Sequence, residues 1–233
     1  MLETLTEFHA RVDGFMLDSL PREGALVTRE SLCGKVGPDG SLLPFFGNTM
    51  IYDLPDAAKL AISHMQTLLH HRAAECLAQP LPAESLHLTL HDLLSGPDEA
   101  ALRESMARTG DAARRELAAI RTEGLPAVHL TSVCAFNMVN TSVVLGFAPD
   151  TESDCEALMA LYERFQRAVA LPYPLTPHVT LAYYRPGVYG PEPVAALHRA
   201  LEEIRDLPKV HLALTADMLH YRVFRDMQRY LPD

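Results

Sequence analysis

The sequence predicts a mixed α/β chain of the α+β class, built as two duplicated strand–helix–strand lobes with pseudo-two-fold symmetry around a central cleft. Three observations predict it. Segments with helical and with strand periodicity alternate along the chain. A strand–helix–strand unit occurs twice at nearly the same spacing. Each unit closes on a His-x-Thr-Leu tetrapeptide, HLTL from His87 and HVTL from His178.

The elements follow in order. Residues 1–20 carry Leu5, Phe8, Val12, Phe15 and Met16 at the spacing of one helix face. The next stretch, PREGALVTRESLCGKVGPDGSLLPFFGN, is punctuated by Gly and Pro, with a turn expected at Pro38-Asp39-Gly40. A short strand runs from Asn48 to Pro55. Asp56 to Gln79 reads as a helix with an apolar stripe of Leu60, Met65, Leu68, Leu69 and Leu77, Asp56 as N-cap and Pro80 as the stop. The strand LHLTLHDLL follows, then a long polar-rich helix from about Pro97 to Gly124. The second half reads as two strands around the turn Asn137-Met138-Val139-Asn140, a helix from Thr151 to Ala170, and the strand HVTLAYY. A helix over about Glu192 to Asp206 and two or three strands in KVHLALTADMLHYRVFRDMQRYLP close the chain.

The repeat organises these elements. NTMIYDLPD begins at Asn48 and NTSVVLGFAPD at Asn140; 39 positions separate Asn48 from His87, and 38 separate Asn140 from His178. A repeat longer than a solenoid unit implies a duplicated lobe. The expected organisation is a helix and loop segment, 1–46, packed on the core of one bilobal domain, 47–233. Its lobes cover about 47–125 and 126–233, with room for strands to exchange between them.

Side chains alternate across a strand. His87 and Thr89 therefore share one face and Leu88 and Leu90 the other; His178 and Thr180 share a face opposite Val179 and Leu181. If the lobes face each other, two imidazoles and two hydroxyls converge on one cleft. That set suits phosphodiester chemistry. Imidazole titrates near neutrality, so one ring can be a neutral base and the other a charged acid. Hydroxyls can donate to non-bridging phosphate oxygens. A single histidine on an amphipathic strand is usually a half-exposed residue without a role. Two, ending equivalent strand–helix units, favour function.

At these residues the chain resembles the 2H (two-histidine, LigT-like) phosphoesterase superfamily, whose members carry two His-x-Thr/Ser motifs on a bilobal α/β fold. The resemblance covers most of the chain from about Gly47. The segment GKVGPDGSLLPFFGNTMIYDLP also resembles the N-terminal region of a bacterial and fungal branch. It implies metal-independent work on 2′,3′-cyclic phosphates, 2′–5′ linkages or other nucleotide phosphodiesters. It also implies that His87 and His178 are catalytic and that Thr89 and Thr180 hold the phosphate.

Five further residues are candidates for substrate binding. Parity puts His91 on the face of His87 and Thr89, where it tunes a pKa or contacts substrate, or else sits solvated at the strand end. Parity also puts Tyr184 on the face of His178 and Thr180, to stack on a base or donate to phosphate, and turns Tyr183 into the core. Arg185 is a phosphate ligand or an exposed loop arginine. Phe46, beside Phe45, is a base-stacking wall or an apolar anchor. Lys35, in CGKVGPDG, closes over an anion or is a solvated loop lysine. The glycines around it match no Walker or dinucleotide fingerprint. Asn48 and Asn140 satisfy backbone groups at strand starts.

Composition limits the partners. A length of 233 residues with 48% hydrophobic content sustains a core and excludes a disordered chain. No apolar run approaches the ~18 residues that span a bilayer, and MLETLTEFHARVDGF carries charges where a signal peptide is apolar. A soluble, cytoplasmic protein with no membrane partner, most simply a monomer, is expected. Cys33, Cys76, Cys134 and Cys155 form no Cys-x-x-Cys pair and read as small apolar side chains. A net charge of −10 repels duplex DNA, yet admits a small nucleotide or an RNA terminus into a cleft. His87 and His91 on a strand lie ~13 Å apart, four steps of ~3.3 Å, too far to share an ion. His70 and His71 diverge on a helix, so neither metal nor cofactor is expected. The expected function is a metal-independent phosphodiesterase. The alternatives are a binding module for a nucleotide or RNA end, and ligase-like ester formation.

Overall fold

The computed structural model describes residues 3–16, 19–21 and 24–232. Among the described residues it is a mixed α+β fold of two four-stranded antiparallel sheets, a two-stranded ribbon and five α-helices. The strands are β1 (Leu26–Val27), β2 (Phe46–Asp53), β3 (His87–Gly96), β4 (Val128–Met138), β5 (Ser142–Pro149), β6 (His178–Tyr183), β7 (Val188–Tyr189), β8 (His211–Leu214), β9 (Leu219–Phe224) and β10 (Tyr230–Leu231). The helices are α1 (Leu5–Met16), α2 (Asp56–Ala73), α3 (Glu99–Glu123), α4 (Glu152–Gln166) and α5 (Pro191–Arg205).

Local chemistry sets the boundaries. At the start of α1, Thr4 and Glu7 form a capping box: Glu7 N–H donates to Thr4 Oγ1 and Thr4 N–H to Glu7 Oε2. Phe8 and Val12 bury the helix face; the side chains of Phe15 and Met16, and residues 1–2 and 17–18 of the expected helix, lie outside the described residues. Asp98 caps α3 by accepting from Ala100 and Ala101 N–H, and Gly124 ends it at φ +63°. Val139 and Asn140, both at positive φ, turn the β4–β5 hairpin.

Helix α2 departs from expectation. It ends at Ala73, well before Pro80, because a 3₁₀ turn at Ala74–Cys76 takes over. Asp56 lies in its first turn rather than at the cap, which is Pro55. Its buried face is Ala58, Ile62, Met65, Gln66, Leu69 and Ala73, and Leu60 is 75% exposed.

The sheets run β10-β9-β2-β3 and β6-β5-β4-β8. Each His-x-Thr strand is therefore an edge strand, paired antiparallel to a buried neighbour, β2 or β5. The two edges approach each other. Sequence halves and sheets do not coincide. The C-terminal β9 and β10 complete the first sheet, whereas α2, from the first half, packs with α5 over the second. Helix α3 covers the first sheet, and α4 touches strands of both. One apolar cluster runs through both sheets and includes Phe8, Leu20, Leu26, Leu32 and Val36 of the N-terminal segment. Each large side chain fully buried there contributes roughly 1.5–3 kcal/mol. No described helix is long and apolar enough to cross a membrane.

Candidate active site

The two motifs are built alike, residue by residue. His87 Nδ1–H donates to Ser85 O (2.6 Å) and His178 Nδ1–H donates to Thr176 O (2.7 Å), each to the carbonyl two positions back. This bond fixes the tautomer. Each neutral ring then carries an unprotonated Nε2.

Each strand then bulges. The register of β3 against β2 slips between Thr89, opposite Ile51, and His91, opposite Met50. That of β6 against β5 slips between Thr180, opposite Val144, and Ala182, opposite Val143. An inserted residue reverses the alternation beyond it. Leu90 and His91 thus both bury, as do Leu181 and Ala182. The sixth residue of each motif, Asp92 or Tyr183, swings to the histidine face, where each lines the cavity. A side chain supports each bulge: Thr49 Oγ1 donates to His91 O (3.1 Å) and Gln66 Nε2 to Leu181 O (2.9 Å).

His87, Thr89, His178 and Thr180 line one cavity of about 850 Å³, within the range of small-molecule sites. Tyr162, Tyr173, Tyr183, Phe224 and Tyr230 add aromatic walls. The His87 ring lies 4.2 Å, centroid to centroid, from Tyr230. Burial lowers the pKa of both catalytic candidates. His87 falls to about 4 through burial, with repulsion from His178 adding to the fall and the Ser85 carbonyl and Asp92 opposing it. His178 falls through burial, opposed by the Thr176 carbonyl and by Asp92. Burial raises the phenols of Tyr162, Tyr173, Tyr183 and Tyr230, which stay protonated as donors.

The five weaker candidates divide. Lys35 lines the cavity; its Nζ lies 5.0 Å over the Phe45 ring and 6.0 Å from that of Tyr183. Burial lowers its pKa and Asp92 opposes the fall. His91 borders the cavity, but the residue is only 1% exposed and its ring packs on Tyr162 (5.0 Å) and Phe165 of α4, because the bulge turned it inward. Tyr184 is buried away from the cavity, and Tyr183 takes the place parity assigned to it, for the same reason. Arg185 does not line the cavity; its Nη2–H donates to Glu75 O (2.7 Å), closing the end of the 3₁₀ turn. Phe46 does not line it either, and Phe45 packs on Phe224 and Met227. Asn48 Oδ1 accepts from Leu94 N–H and Asn140 Nδ2 donates to Val27 O, the backbone roles expected of them.

Sequence reasoning missed Asp92, Tyr173 and Tyr230. One signal was legible for Asp92: strict alternation would have buried a carboxylate beside Leu88 and Leu90. Tyr173 and Tyr230 come from a loop and from a distant strand, and no local pattern marks them. Among the described residues, no group of three or more His, Cys, Asp or Glu has the arrangement to hold a metal ion.

No family model matches the chain, and neither does any curated protein. Solved structures do. A conserved protein of unknown function, ATU0111 from Agrobacterium tumefaciens, aligns at TM-score 0.65 and 19% identity over 96% of this chain and 97% of its own. E. coli LigT in its apo form aligns at TM-score 0.47 and 19% identity over 81% of this chain and 95% of its own. TT0787 of Thermus thermophilus aligns at TM-score 0.40 and 18% identity over 77% and 87%. At these identities the likeness to the Agrobacterium protein is one of fold.

Proposed function

We propose that the chain is a 2H-type phosphodiesterase. It opens a nucleotide 2′,3′-cyclic phosphate or cleaves a 2′–5′-type phosphodiester by paired histidine acid–base catalysis, without a metal. One observation carries the reading: two tautomer-locked imidazoles present free Nε2 atoms to one cavity, each beside a threonine hydroxyl.

Two imidazolium ions in one cavity repel, so the pair works with one proton between them. The neutral ring's Nε2 takes a proton from the attacking water as its oxygen bonds to phosphorus. The protonated ring's Nε2–H gives its proton to the ribose oxygen as the old P–O bond breaks. Proton exchange with solvent restores both rings. Thr89, Thr180 and the Tyr183 phenol donate to non-bridging oxygens, and Lys35 offsets their charge.

The test is a screen of 2′,3′-cyclic nucleotides, 2′–5′ dinucleotides, cyclic dinucleotides and ADP-ribose cyclic phosphates with wild type beside His87→Ala and His178→Ala. The expected outcome is turnover that persists in EDTA, with a loss of about 10²–10⁴-fold in each variant. The kcat/KM profile should be bell-shaped and centred below pH 6.5, since both histidines are lowered. Full turnover in either variant would refute paired acid–base catalysis.

A further inference from the structure

We propose that Asp92 and Tyr173 form a sugar-hydroxyl subsite beside the phosphate pocket, which takes a free ring or exocyclic hydroxyl of the sugar carrying the scissile phosphodiester. This rests on the phosphodiesterase reading and narrows its substrate class. Asp92 lines the cavity on the same face as His87 and Thr89, brought there by the bulge. Among the described residues its carboxylate makes no ion pair, and its one side-chain partner is the Tyr173 hydroxyl, which donates to Oδ2 at a long 3.4 Å.

A carboxylate has about four acceptor positions, so most of this one is unused. It repels a phosphodiester, and its complement must be a hydrogen-bond donor. Two arguments select a hydroxyl over a base amine. The first is reach. Thr89 pairs with Ile51 and Asp92 with Thr49, two ladder steps apart, which is ~7 Å along the strand. A sugar bonded directly to the phosphate spans that gap, whereas a base edge lies beyond the ring. The second is donor–acceptor balance. A hydroxyl can donate to Asp92 while accepting from Tyr173; an amine on a base donates only.

Asp92 also faces His87, His178, Lys35, Tyr162, Tyr183 and Tyr230 across the cavity. A purely electrostatic duty toward the histidines is therefore the competing account, and substrate pairs separate the two. One pair is a 2′–5′ dinucleoside phosphate with and without its 3′-hydroxyl. The other is a nucleoside 2′,3′-cyclic phosphate with and without its 5′-hydroxyl. The measured quantity is the kcat/KM ratio within each pair for wild type, Asp92→Asn and Tyr173→Phe.

Wild type should prefer the hydroxylated member of at least one pair by roughly ten- to a hundredfold, the worth of a hydrogen bond to a charged group. Asp92→Asn should cut that preference to a few-fold, and Tyr173→Phe should reduce it less. An undiminished preference in Asp92→Asn overturns the subsite, as does a variant that only moves the pH profile. If wild type turns over both members equally, the subsite falls while the phosphodiesterase reading stands. If nothing is turned over, that reading falls, and the same ratio read from calorimetric Kd values decides the subsite.

Discussion

Replacing His87 by glutamine tests the buried imidazole directly through acid stability. In the folded protein His87 titrates near 4, chiefly because burial penalises its charged form; unfolded, it titrates near 6.5. Below pH 6.5 the unfolded chain takes up this proton and the folded chain resists it, so stability is lost as pH falls from 6.5 towards 4. Each unit of difference is worth about 1.4 kcal/mol. At pH 4.5 the single ring should therefore have cost the wild type roughly 2–3 kcal/mol relative to pH 7.5. Glutamine does not titrate. It removes the bond to Ser85 equally at both pH values, so that loss cancels in the comparison. Urea unfolding of both proteins at pH 7.5 and 4.5 should show the variant losing about 2–3 kcal/mol less on acidification. Equal losses would mean that His87 is solvated and charges freely, and the lowering of its pKa by burial would be refuted.

Three further outcomes are expected. Thr89→Val and Thr180→Val should each lower kcat by about 10–1,000-fold, as loss of one donor to developing negative charge does, with circular dichroism unchanged. Gly47→Ala should destabilise by about 1–3 kcal/mol, seen as a fall in Tm, because a Cβ there overlaps the Phe224 ring and the Leu94 carbonyl oxygen. Gln66→Met should cost about 1–3 kcal/mol in chemical denaturation, because it strips the Leu181 carbonyl of its side-chain donor inside the protein.

Much of this cavity's lining was legible in the sequence. Period-2 alternation placed His87 with Thr89 and His178 with Thr180, and the four line one cavity. The same alternation failed one step later, at His91, Tyr183 and Tyr184. A bulge depends on partner register and on supporting groups, Thr49 on the neighbouring strand and Gln66 on a packed helix, which no single strand encodes. The extent of α3, expected from about Pro97 to Gly124, was legible because its ends at Asp98 and Gly124 are chemistry local to the chain. The short end of α2 and the exposure of Leu60 were not, because they depend on where that helix docks.

The pairing of β2 with β9 has a consequence for biogenesis. Asn48 on β2 reaches Tyr221 on β9, 173 positions later, and β9 supplies the first sheet with the partner β2 needs on its other side. A nascent chain that has emerged only as far as β3 holds one of the two His-x-Thr motifs and a β2–β3 pair with an open edge. Such an edge invites foreign strands. Ribosome-bound intermediates of this protein should depend on chaperones until β9 emerges, and the cavity is closed only once its Tyr230 wall arrives.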